Sequence, residues 1–237
     1  MVKHLPPTSL QAYQARLLQH FGRQHWWPAR SRLEVMLGAV LTQNTAWSNV
    51  ELALRQLRQR GWLSFRALCA ISADDLGPVI RSSGYWRQKA LRVKALMSWL
   101  DSACGGDLRK LARQPAEVLR KQLLAIPGIG RETADSILLY AFDKPVFVVD
   151  AYTHRVFSRH RISLYALPGK KAPDYDALRL AVEAELEGDA GLYNEFHALL
   201  VMTAKQYCRR REPDCTVCPL RDWLPHATRS EADSNIS

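Results

Sequence analysis

The chain has 237 residues, of which 47% are hydrophobic and 24% are charged. That length suffices for one large domain or two small ones with a real core, and the composition excludes a disordered chain. No apolar run approaches the roughly 20 residues of a membrane helix, and the N-terminal segment lacks the apolar region of a secretory signal. Lysine and arginine outnumber aspartate and glutamate by 33 to 23, so the net charge of +10 favours a polyanionic partner.

Hydrophobic residues recur at helical spacing along almost the whole chain, first over 33–41 and then over 50–57. Ser72 and Asp75 form a capping-box pattern that predicts the start of a short helix. Further helices are predicted over 90–100, 118–124, 134–141, 174–186 and 193–207. The only strand-like run, 146–149, is too short and too isolated to found a sheet. The sequence therefore predicts an all-α fold.

Proline and glycine clusters fall between the predicted helices, and no repeat of solenoid period is present. We expect two helical lobes. One is built from 1–30 together with 145–226, and the other is a central lobe over 31–144. Residues 227–237 lack apolar anchors and are predicted to form a loose tail.

A glycine-containing turn at 126–130, Ile-Pro-Gly-Ile-Gly, separates two of the predicted helices. Gly128 and Gly130 allow positive φ angles and close approach of a ligand to the backbone. The second helix, which starts near Arg131, would direct its N-terminal N–H groups at a phosphate. An ordinary tight turn is one alternative. A dinucleotide-binding fingerprint with Asp150 as its acid is another, but it requires a preceding strand where this chain has helical periodicity.

Asp150 ends the run Lys-Pro-Val-Phe-Val-Val-Asp and precedes an amphipathic stretch. In that place it is predicted to be a helix N-cap, the commonest role of aspartate at such a boundary. A carboxylate at a helix N-terminus is favoured in its ionised form. An ionised carboxylate can orient water and stabilise an oxocarbenium-like centre, so a catalytic role is compatible with the cap.

Four segments occur in order: Leu-Thr-Gln-Asn-Thr at 41–45, the hairpin at 126–130, Val-Asp-Ala-Tyr-Thr-His-Arg-Val at 149–156, and Cys208-x6-Cys215-x2-Cys218. In this order they resemble the helix-hairpin-helix DNA glycosylases of the endonuclease III superfamily. The resemblance implies a two-lobed α fold that binds double-stranded DNA containing a damaged base. Asp150 would be the catalytic aspartate, and Gln43 would fill the gap left by the extruded base.

The resemblance also implies where DNA is contacted. The hairpin would hold a backbone phosphate through Gly128, Gly130 and Arg131. Tyr85 or Trp86 would wedge into the duplex at the damaged base.

Basic residues around that loop, Lys89 among them, would lie near phosphates, although a solvated charged helix face is the alternative. Arg209, Arg210 and Arg211 would make further phosphate contacts. Affinity for DNA would then fall steeply with salt.

Glu132 departs from the pattern of the bifunctional members of this superfamily. Those members carry a lysine after the hairpin that attacks the sugar as a Schiff-base nucleophile. Glu132 occupies the matching position and cannot form an imine, and Lys144 is predicted on the far side of a helix. We therefore predict a monofunctional enzyme that hydrolyses the N-glycosidic bond with water and leaves an abasic site.

A glutamate at this position resembles the 3-methyladenine DNA glycosylases of the endonuclease III type. By that resemblance, Trp26, Trp27, Trp47 and Lys205 would line the pocket for the base. An electron-poor alkylated purine stacks well on aromatic faces, and a cationic one gains roughly 1–2 kcal/mol of cation–π energy. Packing in the core is the alternative for the tryptophans.

The cysteine loop also departs from the family pattern, C-x6-C-x2-C-x5-C, which binds a [4Fe–4S] cluster. The fourth position is Leu224. Cys208, Cys215 and Cys218 remain, and His226 could complete an iron–sulfur site or a Cys3His zinc site. A loop held by packing without metal is the third alternative.

The sequence therefore predicts a monofunctional DNA glycosylase that removes flipped-out alkylated purines in base excision repair. One alternative is a bifunctional or other-specificity endonuclease III-like glycosylase with AP lyase activity. The other is a non-catalytic protein that binds damaged DNA. The chain has five cysteines, an odd number, and three of them cluster near the C-terminus, which indicates a reducing compartment. We expect a monomer in the bacterial cytoplasm, associated with the nucleoid.

Overall fold

The structure, a computed structural model, describes residues 9–166 and 172–225, and their regular elements are all helices. The α-helices are α1 (Leu10–Phe21), α2 (Arg32–Leu41), α3 (Trp47–Gln59), α4 (Phe65–Ala70), α5 (Ala73–Val79), α6 (Trp86–Cys104), α7 (Leu108–Ala112), α8 (Ala116–Leu124), α9 (Arg131–Phe142), α10 (Ala151–His160), α11 (Tyr175–Leu186) and α12 (Ala190–Gln206). The predicted all-α class is confirmed. Within the described ranges, no helix combines the length and the apolar character needed to cross a bilayer.

Local sequence signals fix several helix starts. Ser72 Oγ accepts a hydrogen bond from the backbone N–H of Asp75 (3.1 Å) and donates one to Asp75 Oδ2 (2.6 Å). This reciprocal pair satisfies an otherwise unpaired donor of the first turn of α5. The capping box predicted from the sequence is therefore present.

The chain divides into two compact units. The first contains Met1–Trp26 and Pro145–Ser237, and the second contains Trp27–Lys144. In the first unit, α12 packs against α1 and α10, and α1 also contacts α11. The tail predicted over 227–237 lies outside the described residues.

The second unit is organised around α9, which contacts α2 and α8. Every residue of α9 from Thr133 to Phe142 is buried, so this helix presents no solvated face. Arg120 on α8 forms a bidentate ion pair with the fully buried Asp135 (Nε–Oδ1 2.6 Å, Nη2–Oδ2 3.0 Å). Removing one partner of such a pair costs roughly 3–5 kcal/mol, so it holds together the two helices that flank the hairpin.

The strand-like run predicted at 146–149 is extended but does not pair with a strand. Val146, Phe147 and Val149 are buried. The backbone N–H of Phe147 donates to Glu183 Oε1 on α11 (2.7 Å), so a side chain takes the place of a neighbouring strand. This anchored segment delivers Asp150 to the start of α10.

Candidate active site

Asp150 is the N-cap of α10, as predicted, and its two carboxylate oxygens have different partners. Oδ1 accepts hydrogen bonds from the backbone N–H of Thr153 (2.7 Å) and from Thr153 Oγ1 (3.0 Å). Oδ2 lies 3.5 Å from Nε2 of His197 on α12. The residue is only 9% exposed. One oxygen is thus committed to the cap, and the other faces an imidazole.

These surroundings keep the carboxylate ionised. Burial by itself raises the pKa of Asp150. The neighbouring His197, through its charge and a hydrogen bond, and the two bonds from Thr153 outweigh burial and lower the pKa below its ordinary value. Asp150 therefore carries a negative charge at neutral pH, held in a setting from which most water is excluded.

Sequence reasoning missed His197. A lone histidine inside α12 carries no motif, and it lies 47 positions from Asp150 along the chain. Only the packing of α12 against α10 brings the two side chains together. His154, which follows Asp150 on α10, donates to or accepts from Tyr165 Oη at 2.6 Å, and burial lowers its pKa.

The hairpin adopts the geometry that its glycines predict. Helix α8 ends at Leu124, the backbone N–H of Ile129 donates to Ile126 O (3.0 Å), and Gly128 has φ +84°. Gly130 is the N-cap of α9, and Gly130, Arg131 and Glu132 are all exposed. An exposed helix N-terminus of this kind can bind a phosphate.

Glu132 lies at the exposed start of α9, where the resemblance expects a lysine in bifunctional enzymes. Lys144, the alternative amine, donates through Nζ to Ala112 O (2.8 Å) and is partly buried. Its amine is thus engaged with the end of α7 in the same unit.

The loop before α6 exposes one aromatic ring. Tyr85 is 68% exposed and adopts φ +46°, a left-handed conformation that a tyrosine rarely takes. Trp86 is packed: a Cβ added to Gly77 would lie 2.6 Å from its ring, and the Arg87 guanidinium lies 4.1 Å from its ring centroid. Of the two residues predicted as a wedge, Tyr85 is thus the exposed one.

The prediction that Lys89 contacts DNA is corrected by its burial. Lys89 is 1% exposed, and its Nζ donates to Leu41 O (2.8 Å) and to Ser83 O (2.5 Å). Burial and the nearby charge of Arg92 lower its pKa to about 8. A buried amine with two carbonyl partners cannot reach a phosphate, so Lys89 instead joins the end of α2 to the Tyr85 loop.

Two of the tryptophans predicted to line the base pocket, Trp27 and Trp47, lie in the second unit and contact each other. The rings of Trp27 and Trp47 are 5.0 Å apart at 88°, an edge-to-face pair, and Trp47 Nε1 donates to Glu51 (2.9 Å). Both indoles approach Gly38, where an added Cβ would be 3.3 Å from each of them. A base stacked between two parallel rings does not fit this arrangement, although either ring could stack on one face of a base. A cavity of about 450 Å³ opens beside the pair.

Trp26 and Lys205 lie together in the first unit. Lys205 Nζ is 5.7 Å from the centroid of the Trp26 ring, within the range of a cation–π contact. Lys205 is exposed and Trp26 is partly exposed. Both groups therefore reach the surface of the first unit.

The cysteine loop does not supply the four thiolates of a [4Fe–4S] cluster. Leu224 at the fourth position is buried, and the Cys208 Sγ accepts a hydrogen bond from Arg159 (3.1 Å). Burial raises the pKa of Cys218 to about 12. In the described part of the chain, no group of three or more His, Cys, Asp or Glu side chains is arranged to hold a metal ion. His226, the suggested fourth ligand, lies outside the described residues.

Protein contacts hold this loop in place. Arg155 Nε donates to Cys208 O (2.6 Å), and Arg159 Nη1 donates to Arg209 O (2.8 Å). The Trp223 ring packs edge-on against Tyr13 at 5.0 Å. Arg209, Arg210 and Arg211 are exposed. The donor set therefore does not fit a four-cysteine cluster.

The chain matches the model of the HhH-GPD superfamily base excision DNA repair protein over residues 37–171. A Methanocaldococcus jannaschii protein called "Putative DNA repair glycosylase MJ1434" is 40% identical over 209 residues, which cover 87% of this chain and 91% of that protein. Endonuclease III of Thermotoga maritima is 28% identical over 206 residues, 87% of each chain.

Solved structures show the same fold. The crystal structure of H. pylori 3-methyladenine DNA glycosylase bound to 1,N6-ethenoadenine aligns with a TM-score of 0.67 at 28% identity, covering 83% of this chain and 94% of that one. A non-covalent endonuclease III–DNA complex aligns with a TM-score of 0.76 at 19% identity, covering 93% and 96%.

Proposed function

The chain belongs to the HhH-GPD superfamily of base excision DNA repair proteins, as its sequence resemblance predicted, and from this premise we propose a specific activity. We propose that this DNA glycosylase is monofunctional and hydrolyses the N-glycosidic bond of flipped-out alkylated purines, 3-methyladenine among them. The observation that carries the proposal is the placement of the Asp150 carboxylate, which is buried at a helix N-terminus with Oδ1 bound by Thr153 and Oδ2 facing His197.

An ionised Asp150 supports hydrolysis because positive charge develops on the sugar as the glycosidic bond breaks. A fixed carboxylate stabilises that charge most strongly where water is excluded. Water then bonds to C1′ and gives up a proton to solvent. A cationic alkylated base takes the electron pair of the broken bond and departs as a neutral heterocycle. Such a leaving group needs no proton from the enzyme, so a site without a general acid suffices.

Glu132 supports the absence of a covalent step, because its carboxylate cannot form the imine on which AP lyase chemistry depends. Lys144 is engaged with Ala112 O. The product of the proposed reaction is thus an intact strand carrying an abasic site.

Aromatic rings support the preference for alkylated purines. Trp47, whose indole N–H is bound to Glu51, and Trp26, whose ring centroid lies 5.7 Å from Lys205 Nζ, are both partly exposed, and we propose that a planar base stacks on such a ring. Stacking of a cationic purine on an indole adds roughly 2 kcal/mol when water is excluded. The H. pylori relative was solved with an adenine derivative, 1,N6-ethenoadenine, bound.

The basic character of the chain supports double-stranded DNA as the partner. The net charge is +10, and Gly130 and Arg131 are exposed at the start of α9. We propose that this turn holds a backbone phosphate and that the protein acts as a monomer on nucleoid DNA in the bacterial cytoplasm. Each DNA phosphate that the protein neutralises makes its affinity for DNA fall more steeply as the salt concentration rises.

A release assay on duplexes carrying single lesions tests the proposal. The panel contains alkylated purines, oxidised pyrimidines and mismatches, and each reaction is read with and without alkaline cleavage. We expect release of alkylated purines, with strand breaks only after alkali. Release of oxidised pyrimidines instead would show a different specificity, and binding without any release would show a non-catalytic damage-binding protein.

Borohydride trapping tests the monofunctional part separately. The wild-type protein should give no covalent adduct with DNA. Glu132→Lys restores an amine at the position where bifunctional relatives carry one, and it should gain a trappable adduct if the alignment of this position is right. A borohydride adduct of the wild-type protein would refute the monofunctional assignment.

A further inference from the structure

The side-chain amide of Gln43 is held by three partners within the second unit. Its Nε2 donates to Gly128 O (3.1 Å) and to Thr133 Oγ1 (2.9 Å), so both amide hydrogens are used. Its Oε1 accepts a hydrogen bond from Arg92 Nη1. Gln43 therefore connects the loop after α2 to the hairpin and to α6.

Arg92 lies across the hairpin as well as against Gln43. A Cβ added at Gly128 would lie 2.5 Å from Arg92 Cγ and 2.8 Å from its Cδ and Nε. The aliphatic part of Arg92 thus occupies the space that a side chain at position 128 would need. Gly128 is required for this crossing as well as for its φ of +84°.

Arg92 decides which way round the Gln43 amide lies. A guanidinium has only donors, so the group that faces it must be the amide oxygen and not the amide NH2. With the NH2 directed at Gly128 O and Thr133 Oγ1, the only hydrogen-bonding capacity left on Gln43 is the second lone pair of Oε1. Beside it, Arg92 retains unused donors, because its one hydrogen bond in the described structure goes to Gln43.

We infer that Arg92 is a positioning residue that fixes the orientation of the Gln43 amide and thereby sets how the protein discriminates the base opposite the lesion. The inference rests on the proposed function, in which Gln43 enters the gap left by the extruded base. In the orientation that Arg92 imposes, Gln43 and Arg92 together present to the opposite base one acceptor, Gln43 Oε1, and the adjacent N–H donors of the guanidinium. Without Arg92 the amide can turn over and offer a donor instead, so the pattern read from the opposite base changes.

The proposal is tested by equilibrium binding to duplexes that carry an uncleavable abasic-site analogue opposite each of the four bases. The variants are Arg92→Ala, Arg92→Lys, Gln43→Ala and the double variant Arg92→Ala/Gln43→Ala. Arg109→Ala is the matched control, because this exposed arginine pairs with Asp107 on the surface. Thermal denaturation confirms that each protein is folded.

Wild-type protein and Arg109→Ala should share one order of preference among the four duplexes. Arg92→Ala should reduce the ratio between the tightest and the weakest of the four affinities by about tenfold, because the coupling energy of two hydrogen-bonded residues is about 1.4 kcal/mol. The double variant should show no further loss of discrimination, because the two residues act through one hydrogen bond. Arg92→Lys keeps the positive charge and a group that has only donors, so it should keep the salt dependence and most of the discrimination. Gln43→Ala removes the amide and should lose the same discrimination as Arg92→Ala; unchanged discrimination in Gln43→Ala would overturn the inference even if Arg92→Ala does not fold.

Equal weakening of all four complexes by Arg92→Ala would identify Arg92 as an ordinary phosphate contact and overturn the inference. The same conclusion follows if wild-type protein binds all four duplexes equally. The binding assay does not depend on base release, so it separates this inference from the proposed activity. A protein inactive on alkylated DNA but discriminating through Arg92 would refute the activity and leave the positioning role standing.

Discussion

Replacing Asp150 with asparagine separates the two tasks of this residue. In the structure, Oδ1 receives two hydrogen bonds from Thr153, and the carbonyl oxygen of an asparagine can receive the same bonds. Helix α10 therefore keeps its cap. The negative charge beside His197 is lost, and with it the stabilisation of positive charge on the sugar.

The two tasks differ in expected magnitude. Losing a preorganised electrostatic stabiliser should reduce the rate of base release by at least about 10³-fold, or about 4 kcal/mol of transition-state energy. Asparagine caps helices about as well as aspartate, so the free energy of unfolding should change by less than about 1 kcal/mol. Asp150→Ala loses both hydrogen bonds from Thr153 and should cost a further ~1 kcal/mol, or about 2–4 °C in Tm for a chain of this size.

The assay is single-turnover release of an alkylated purine, read together with binding to an abasic-site analogue and with thermal denaturation. Asp189→Asn is the matched control, because Asp189 caps α12 through a similar bond to the N–H of Leu192 (2.8 Å) but is exposed. The Asp150→Asn variant should stay folded and bind the abasic-site analogue, but it should no longer release the alkylated purine at the wild-type rate. Wild-type release by folded Asp150→Asn would refute the mechanism.

Three further predictions concern acid stability, the base pocket and the cysteine loop. Burial lowers the pKa of His160 to about 4. Between about pH 6.5 and about pH 4 the unfolded chain therefore binds a proton at His160 that the folded chain does not, and the free energy of unfolding should fall by about 3 kcal/mol as the pH drops through this range. His160→Gln should make the free energy of unfolding depend less steeply on pH. An unchanged pH dependence in this variant would contradict the low pKa of His160. Trp47→Ala should slow release of 3-methyladenine by about ten- to thirtyfold, the equivalent of a lost cation–π contact, with binding to the abasic-site analogue almost unchanged. Trp99→Ala is its control, because Trp99 is on α6 in the same unit and does not line the cavity beside Trp47; equal loss of release and binding in Trp47→Ala would indicate folding damage. Because Arg155 and Arg159 hold the cysteine loop through its carbonyls, an iron or zinc chelator should leave the Tm unchanged, whereas release of metal with a fall in Tm would show that a metal holds the loop.

Several features of the fold could be predicted because they depend on neighbours in sequence. The Ser72 capping box and the Asp150 cap each act over three residues, and the structure contains both. The hairpin needed only its glycines, since a positive φ at Gly128 is a local property of the backbone. The strand-like run at 146–149 was rightly excluded from a sheet, because a lone extended segment has no partner.

Other features could not be predicted because they depend on residues that are distant in sequence. In the sequence, Lys89 is one of several basic residues near Tyr85 and Trp86, the residues predicted as a wedge. In the structure, its amine is buried and donates to Leu41 O, 48 positions away. No spacing rule indicates that a lysine will find two carbonyl partners in the core instead of water. The edge-to-face contact of Trp27 with Trp47 likewise joins residues 20 positions apart, one before α2 and the other at the start of α3.

The amino-acid sequence by itself determined the helical class, the hairpin and the helix caps, the Asp150 cap among them, because periodicity and capping are short-range effects. Only the tertiary structure decided which polar groups meet: His197 beside Asp150, and Arg92 on Gln43 across Gly128. The physical reason is that a buried polar group must find a partner wherever packing places one. That choice is made by the assembled helices and not by the order of residues along any one of them.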